Sequence, residues 1–152
     1  MTAGERLSAY DQAVKLLARR THFRREIADK LARRGYGREE IDQALARLES
    51  RRYLDDAEAA RQYVAGRLGR GGYGRSRLAA ELAARGVGRE VAAPVLDELL
   101  PEDDLEAARQ EARRHAGKEP AALARRLERR GFSARAIAAV LRDRGQEDSS
   151  EP

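Results

Sequence analysis

Leu31-Ala-Arg-Arg-Gly35-Tyr36 recurs as Leu82-Ala-Ala-Arg-Gly86-Val87 and again as Leu127-Glu-Arg-Arg-Gly131-Phe132. Four residues before each leucine stands another aliphatic side chain, Ile27, Leu78 or Leu123. Ten residues after it comes Ile41, Ala92 or Ile137, followed by Leu45, Leu96 or Leu141. Upstream, Ala13 to Leu17, Ala60 to Val64 and Ala108 to Ala112 also correspond. A repeat of this period fixes the architecture, because each copy is one supersecondary unit that covers its apolar face with its own helices and its neighbours.

The i,i+4 leucine pairs predict a helix with one buried stripe. Gly35, Gly86 and Gly131 follow it, where a left-handed residue normally ends a helix. Two residues on, Gly37, Gly88 and Ser133 suit the N-cap of a second helix. A third helix precedes the pair, with Ser8 as start signal in the first copy and Asp55/Glu58 and Asp103/Glu106 at capping-box spacing in the others, where Asp56 and Asp104 are equally good caps. Aromatic residues are only 5% of the chain, there is no Trp, and no β-branched run is present. The expectation is an all-α chain of three tandem three-helix modules, an elongated, curved helical-repeat array. Its modules are residues 1–54, 55–102 and 103–144, and 145–152 is a disordered acidic tail. Pro94 is expected to kink the last helix of the middle copy or delay its start.

Charged residues make up 38% of the 152, with a formal net charge of +5. The first module carries 13 basic against 8 acidic side chains, the second 7 against 8, the third 11 against 7. Basic ends flanking a near-neutral centre suit a binder that touches an anionic surface at both ends. Of 31 basic residues 28 are Arg, the residue of bidentate phosphate and carboxylate recognition. Arg24, Arg25 and Arg33 in the first module, and Arg125 and Arg129 in the third, project opposite the leucine stripes. They suit a partner contact and equally a solvated helix face.

The middle copy is about four residues longer than the first and holds Gly69-Arg-Gly-Gly-Tyr-Gly-Arg75. It follows a helix and lacks a Walker Lys-Ser/Thr, so it reads as a bend and not a nucleotide loop. Arg67, Arg70, Arg75 and Arg77 surround it and make it a candidate binding loop. His22 and His115 have no ligand partner at metal spacing and are expected at the surface or its boundary. With 0 Cys there is neither a disulfide nor a thiolate site. No catalytic constellation stands out, so no enzyme, cofactor or metal is expected. No apolar run reaches membrane-span length and no signal-peptide core opens the chain, which predicts a soluble cytoplasmic protein.

Tyr53-Leu-Asp-Asp56, with Ala60, Tyr63-Val64 and Arg67, then Gly72-Tyr-Gly74-Arg-Ser-Arg77-Leu78 and Glu81-Leu82 to Gly86-Val87, resembles the RecX family of recombination regulators. Glu26-Ile27 to Gly35-Tyr36 is similar to the family's opening module, and Arg130-Gly131-Phe132 with Ile137 to its closing one. Two positions depart from the family pattern: Ala59 stands where Phe is frequent, and Phe23 where a Ser cap is common. The resemblance implies a non-enzymatic protein that binds the RecA filament, lies in its groove and restrains filament growth, ATP hydrolysis, strand exchange and stimulated cleavage. Nothing in the sequence suggests an obligate dimer, so a monomer is expected. Direct contact with single- or double-stranded DNA is the alternative, since short-turn helix pairs and excess Arg also suit that class. A helical scaffold for some other protein is a third reading.

Overall fold

The computed structural model describes residues 5–100 and 103–150, and these form helices and connecting turns without a strand. The first trio is α1 (Ala9–Arg19), α2 (Arg24–Arg33) and α3 (Arg38–Ser50). The second is α4 (Asp56–Arg70), α5 (Arg75–Ala84) and α6 (Arg89–Leu99). The third is α7 (Leu105–Arg114), α8 (Pro120–Arg129) and α9 (Ala134–Asp148).

The repeated hexamer builds the same turn three times. Gly35, Gly86 and Gly131 have φ of 86°, 86° and 81°, a region open to Gly without a Cβ penalty. Each donates its N–H to the carbonyl three residues back, and Tyr36, Val87 and Phe132 donate theirs to Leu31, Leu82 and Leu127. This pair of bonds is the Schellman motif, and it satisfies carbonyls that the helix end leaves open. The residue after each glycine is buried, which turns the chain back onto its own leucine stripe. Gly37, Gly88 and Ser133 then cap the next helix, as their position predicts.

Three buried clusters follow from these turns. Ile27, Leu31, Ile41, Leu45 and Leu48 centre the first; Val64, Leu78, Leu82, Val95 and Leu96 the second; Leu123, Leu127, Phe132 and Val140 the third. Each fully buried leucine contributes about 1.5–3 kcal/mol through apolar area removed from water. The extensive helix contacts all lie within a trio: first against third, and second against third, in each. No hydrogen bond or ion pair among the described residues joins the first trio to the third. The trios are therefore joined in sequence, first to second and second to third.

Four details differ from expectation. α9 continues to Asp148, past the residue at which the acidic tail is expected to lose order. One backbone bond per added residue suffices once a helix is nucleated, and the Ser149 and Ser150 hydroxyls bond back to the carbonyls of Gly145 and Gln146. The tail's last two residues, and Pro101 and Glu102 at the expected limit of the second module, lie outside the described residues. Pro94 does not delay α6, which starts at Arg89 and includes it, because Gly88 accepts the first helical bond and the start needs no N–H from residue 94. α4 runs on through Gly66 and Gly69, so the bend is confined to Gly71–Gly74. His22 is buried, its Nδ1–H donating to the Arg20 carbonyl at 2.8 Å and its Nε2 accepting from Lys30 at 3.0 Å.

Candidate functional site

The second trio differs from its neighbours in one respect that matters for function. In the first and third trios the first two helices pack on each other, whereas α4 and α5 make no such extensive contact. The longer Gly71–Gly74 bend lets them part, and polar side chains span the space. Tyr63 and Arg67 lie one turn apart on α4; Arg77 and Glu81 lie one turn apart on α5, with Arg85 a further turn on at its C-cap. Tyr73 enters from the bend, and Arg130 from the C-cap of α8 in the third trio.

These side chains interlock. The Tyr63 hydroxyl donates to Glu81 at 2.8 Å and accepts from Arg67 Nε and Nη2 at 3.2 and 3.1 Å. Arg67 Nη1 also donates to the Tyr73 hydroxyl at 3.2 Å. Glu81 takes ion pairs from Arg67 and Arg77, each at 3.4 Å. The rings carry cations as well: Arg85 lies 4.6 Å from the Tyr63 centroid, and Arg67, Arg77 and Arg130 lie 5.1, 5.3 and 5.7 Å from that of Tyr73. Guanidinium–ring contacts at this range are attractive and hold the head groups in place. Donation from Arg67 to the Tyr63 hydroxyl raises the pKa of Arg67 further, outweighing the opposing effect of burial.

Four guanidinium groups, two paired with the Glu81 carboxylate and two held on the tyrosine rings, leave a net positive surface whose geometry is set before any partner arrives. Pinned arginines lose less rotamer freedom on binding than free ones, so such a surface suits phosphate or clustered carboxylates. Of the arginines singled out in the sequence, Arg67 and Arg77 belong to the cluster. Arg75 pairs with Asp97 at 2.7 Å, and Arg24 with Glu49. Arg25 lies against the Gly86 turn of the second trio. Arg33, Arg70, Arg125 and Arg129 are exposed and, among the described residues, meet no carboxylate. Tyr63, Tyr73, Arg85 and Arg130 were not among the predicted site residues. The i,i+4 ladder Arg77-Glu81-Arg85 beside Tyr63-Arg67 is a readable signal for Tyr63 and Arg85, and Tyr73 lies within the glycine-rich bend itself. Arg130 had none, since it arrives from the next trio.

The trios meet through a recurring joint. Asp56, which opens α4, accepts the N–H of Arg24, the first residue of α2, at 2.8 Å. Asp104, which precedes α7, accepts the N–H of Arg75, the first residue of α5, at 3.1 Å. Each carboxylate satisfies a helix N-terminus of the preceding trio, where negative charge is favoured. Capping of its own helix, expected for this acidic pair, holds at Asp55, which accepts from Ala57 and Glu58. It fails at Asp104, whose carboxylate is turned to the second trio and makes no bond to α7. Phe23 strengthens the first joint: its ring is buried in the second trio's cluster, edge-on to Tyr63 with centroids 6.1 Å apart. Ala59 lies in that same cluster, where a larger family residue is frequent, so an aromatic ring from the first trio occupies part of the middle core.

Comparison with known proteins places this architecture. The family profile described as RecX, first three-helix domain, matches residues 9–48, and RecX, second three-helix domain, matches residues 55–96. The regulatory protein RecX of Chromobacterium violaceum is 32% identical over 98% of this chain and 99% of its own length. This chain belongs to the RecX family. A second RecX relative, from Halorhodospira halophila, is 37% identical over 93% of this chain and 91% of its own length. The crystal structure of RecX from Lactobacillus salivarius superposes with a TM-score of 0.76 at 20% identity, covering 91% of this chain and 95% of that one. A further crystal structure of regulatory protein RecX gives 0.75 at 21% identity, over 87% and 70% of the two chains. At those identities the likeness establishes the shared RecX fold. None of the described helices is long and apolar enough to cross a membrane.

Proposed function

We propose that this protein binds the RecA–DNA filament through the arginine–tyrosine cluster of the second trio and restrains its ATP hydrolysis, strand exchange and stimulated cleavage. Family membership supports a regulatory role. The observation that carries the choice of surface is the set of four guanidinium groups held on Tyr63 and Tyr73, only two of which are paired with a carboxylate. The protein acts by contact and not by catalysis, in the cytoplasm.

The third trio is a module of the same kind, so that 1–54, 55–102 and 103–144 form an elongated, curved array. Arg24, Arg25, Arg33, Arg70, Arg75, Arg125 and Arg129 extend the footprint from the cluster toward both ends, and weak sites on a rigid array add through avidity. The chain works as a monomer, because each end lacks one half of the joint. Ala9 stands where Asp56 and Asp104 stand, and Pro120, without an N–H, where Arg24 and Arg75 donate. Sedimentation velocity should give a single species of one chain mass at every concentration; a species whose mass grows with concentration contradicts this.

Co-sedimentation with RecA assembled on single-stranded DNA tests the proposal. The parent should pellet with filaments, and Arg85→Glu/Arg130→Glu should pellet about tenfold less well, in keeping with two ring-anchored arginines at an interface. Equal pelleting of the variant removes the cluster from the contact. Direct DNA binding is the second reading, favoured by the same arginines because phosphate suits them as well as carboxylate does. Tight binding to bare DNA with a steep salt dependence, unaffected by RecA, would decide for it.

A further inference from the structure

We propose that Asp104 is a positioning residue that holds Arg130 of the third trio in the arginine–tyrosine cluster. The inference rests on the reading of that cluster as the docking surface. Asp104 lies in the connection between α6 and α7 and is 1% exposed. Its φ of 86° is a left-handed conformation that a non-glycine residue adopts only where its surroundings demand it. Three donors converge on its carboxylate: Arg75 N–H at 3.1 Å, Ser133 N–H at 3.1 Å and the Ser133 hydroxyl at 3.0 Å. Ser133 in turn accepts from Ala136 N–H as the cap of α9. A group with acceptors only satisfies all three donors at once.

Beside this bracket the two backbones meet directly. Gly74 donates to the Arg130 carbonyl at 2.9 Å, and Ser76 to the Gly131 carbonyl at 3.1 Å. A Cβ on Gly74 would fall 2.3 Å from the Phe132 nitrogen, and one on Gly131 2.4 Å from the Arg77 nitrogen. The α8–α9 turn is thereby fixed on the start of α5, one residue from Tyr73. Arg130 sits in that turn, and its guanidinium is the third trio's one contribution to the cluster among the described residues. Among the described residues no hydrogen bond or ion pair joins Asp104 to Arg130 or Tyr73; it acts by locking Arg75, which lies between the paired Gly74 and Ser76, and Ser133, two residues beyond Gly131. Among the described residues, Asp56 at the first joint accepts one bond, from Arg24, and no arginine of the first trio lies on the Tyr63 or Tyr73 ring.

Two measurements test this, and one is independent of RecA. The chain has 0 Cys, so cysteines introduced at exposed Ala80 and Glu128 carry spin labels uniquely on α5 and α8. Pulsed electron resonance should show one narrow distance in the doubly labelled parent and a broadened or shifted distribution in Asp104→Ala. Asp104→Ser, which accepts fewer bonds, is the second variant should the first fail to fold, with helicity followed by circular dichroism. A parent-like distribution in either folded variant overturns the proposal. In the second measurement, Asp104→Ala should weaken inhibition of RecA ATP hydrolysis about fivefold, by the same factor as Arg130→Ala. The double variant should be no weaker than either single one. Multiplied losses in the double variant would mean that Asp104 acts apart from Arg130 and would overturn the link. A parent without effect on RecA would defeat the proposed function, while the distance measurement would still decide whether Asp104 holds the joint.

Discussion

His22 and Asp104 are both buried ionisable side chains, and they pull stability in opposite directions as pH changes. Burial, aided by the charges of Arg20 and Lys30, lowers the pKa of His22, so the folded protein keeps it neutral with its proton on Nδ1. The unfolded chain takes up that proton near the ordinary imidazole range and the folded chain does not. Stability is therefore full above that range and falls as pH drops through it. His22→Gln keeps a donor for Arg20 and an acceptor for Lys30 without titrating. Urea denaturation should show the parent losing more stability than this variant between about pH 7 and pH 5; parallel losses would contradict the assignment. Burial also raises the pKa of Asp104, the bonds from Arg75 and Ser133 offsetting only part of it. Here the folded chain holds the proton to higher pH, so stability falls as pH rises from the ordinary carboxylate range toward the raised value. The deficit of Asp104→Asn against the parent should shrink over that rise, and a growing deficit would show the sign to be wrong. Neither environment was readable in the sequence. His22 looked like a boundary residue and Asp104 like a helix cap, because the groups that bury them lie on other helices or in the next trio.

At the scale of the element, the hexamer and its glycine were legible in full. Local rules set the leucine stripe, the left-handed stop and the cap two residues later, and all three copies obey them. The second property of these glycines, closeness to another trio, was not legible. Gly35 has only the Arg6 side chain beyond 3 Å in the direction of a Cβ, whereas at Gly131 the Arg77 backbone stands there. Gly35→Ala should cost about 1–2 kcal/mol, the left-handed penalty alone. Gly131→Ala should cost about 1–3 kcal/mol more, because a backbone must move. Equal costs in urea denaturation would mean that the second joint yields easily. The sequence also placed arginines along helix faces correctly but not which of them are held. Arg67 and Arg77 lie beside the bend; their anchoring on the Tyr63 and Tyr73 rings depends on α4 and α5 standing apart, which no local pattern encodes.

For the whole molecule, order along the chain is also order in bonding, since each trio bonds to the next and no hydrogen bond or ion pair among the described residues joins the first to the third. Formal charge was legible at this scale, with basic ends and a near-neutral centre. It pointed to the ends as binding surfaces. Pairing redistributes that picture: the near-neutral middle trio holds the densest fixed cation cluster, one of whose arginines is borrowed from the third. Under the proposed function a partner surface spans the second joint, which would tie regulation to the geometry of that joint. The most direct test is steady-state ATP hydrolysis by RecA on single-stranded DNA, with the parent and Arg85→Glu/Arg130→Glu titrated in at no more than one chain per RecA. The parent should lower the rate, and the variant should need about tenfold more protein for the same effect while keeping its helicity. An unchanged rate with the parent, or equal potency of the two, would contradict the account.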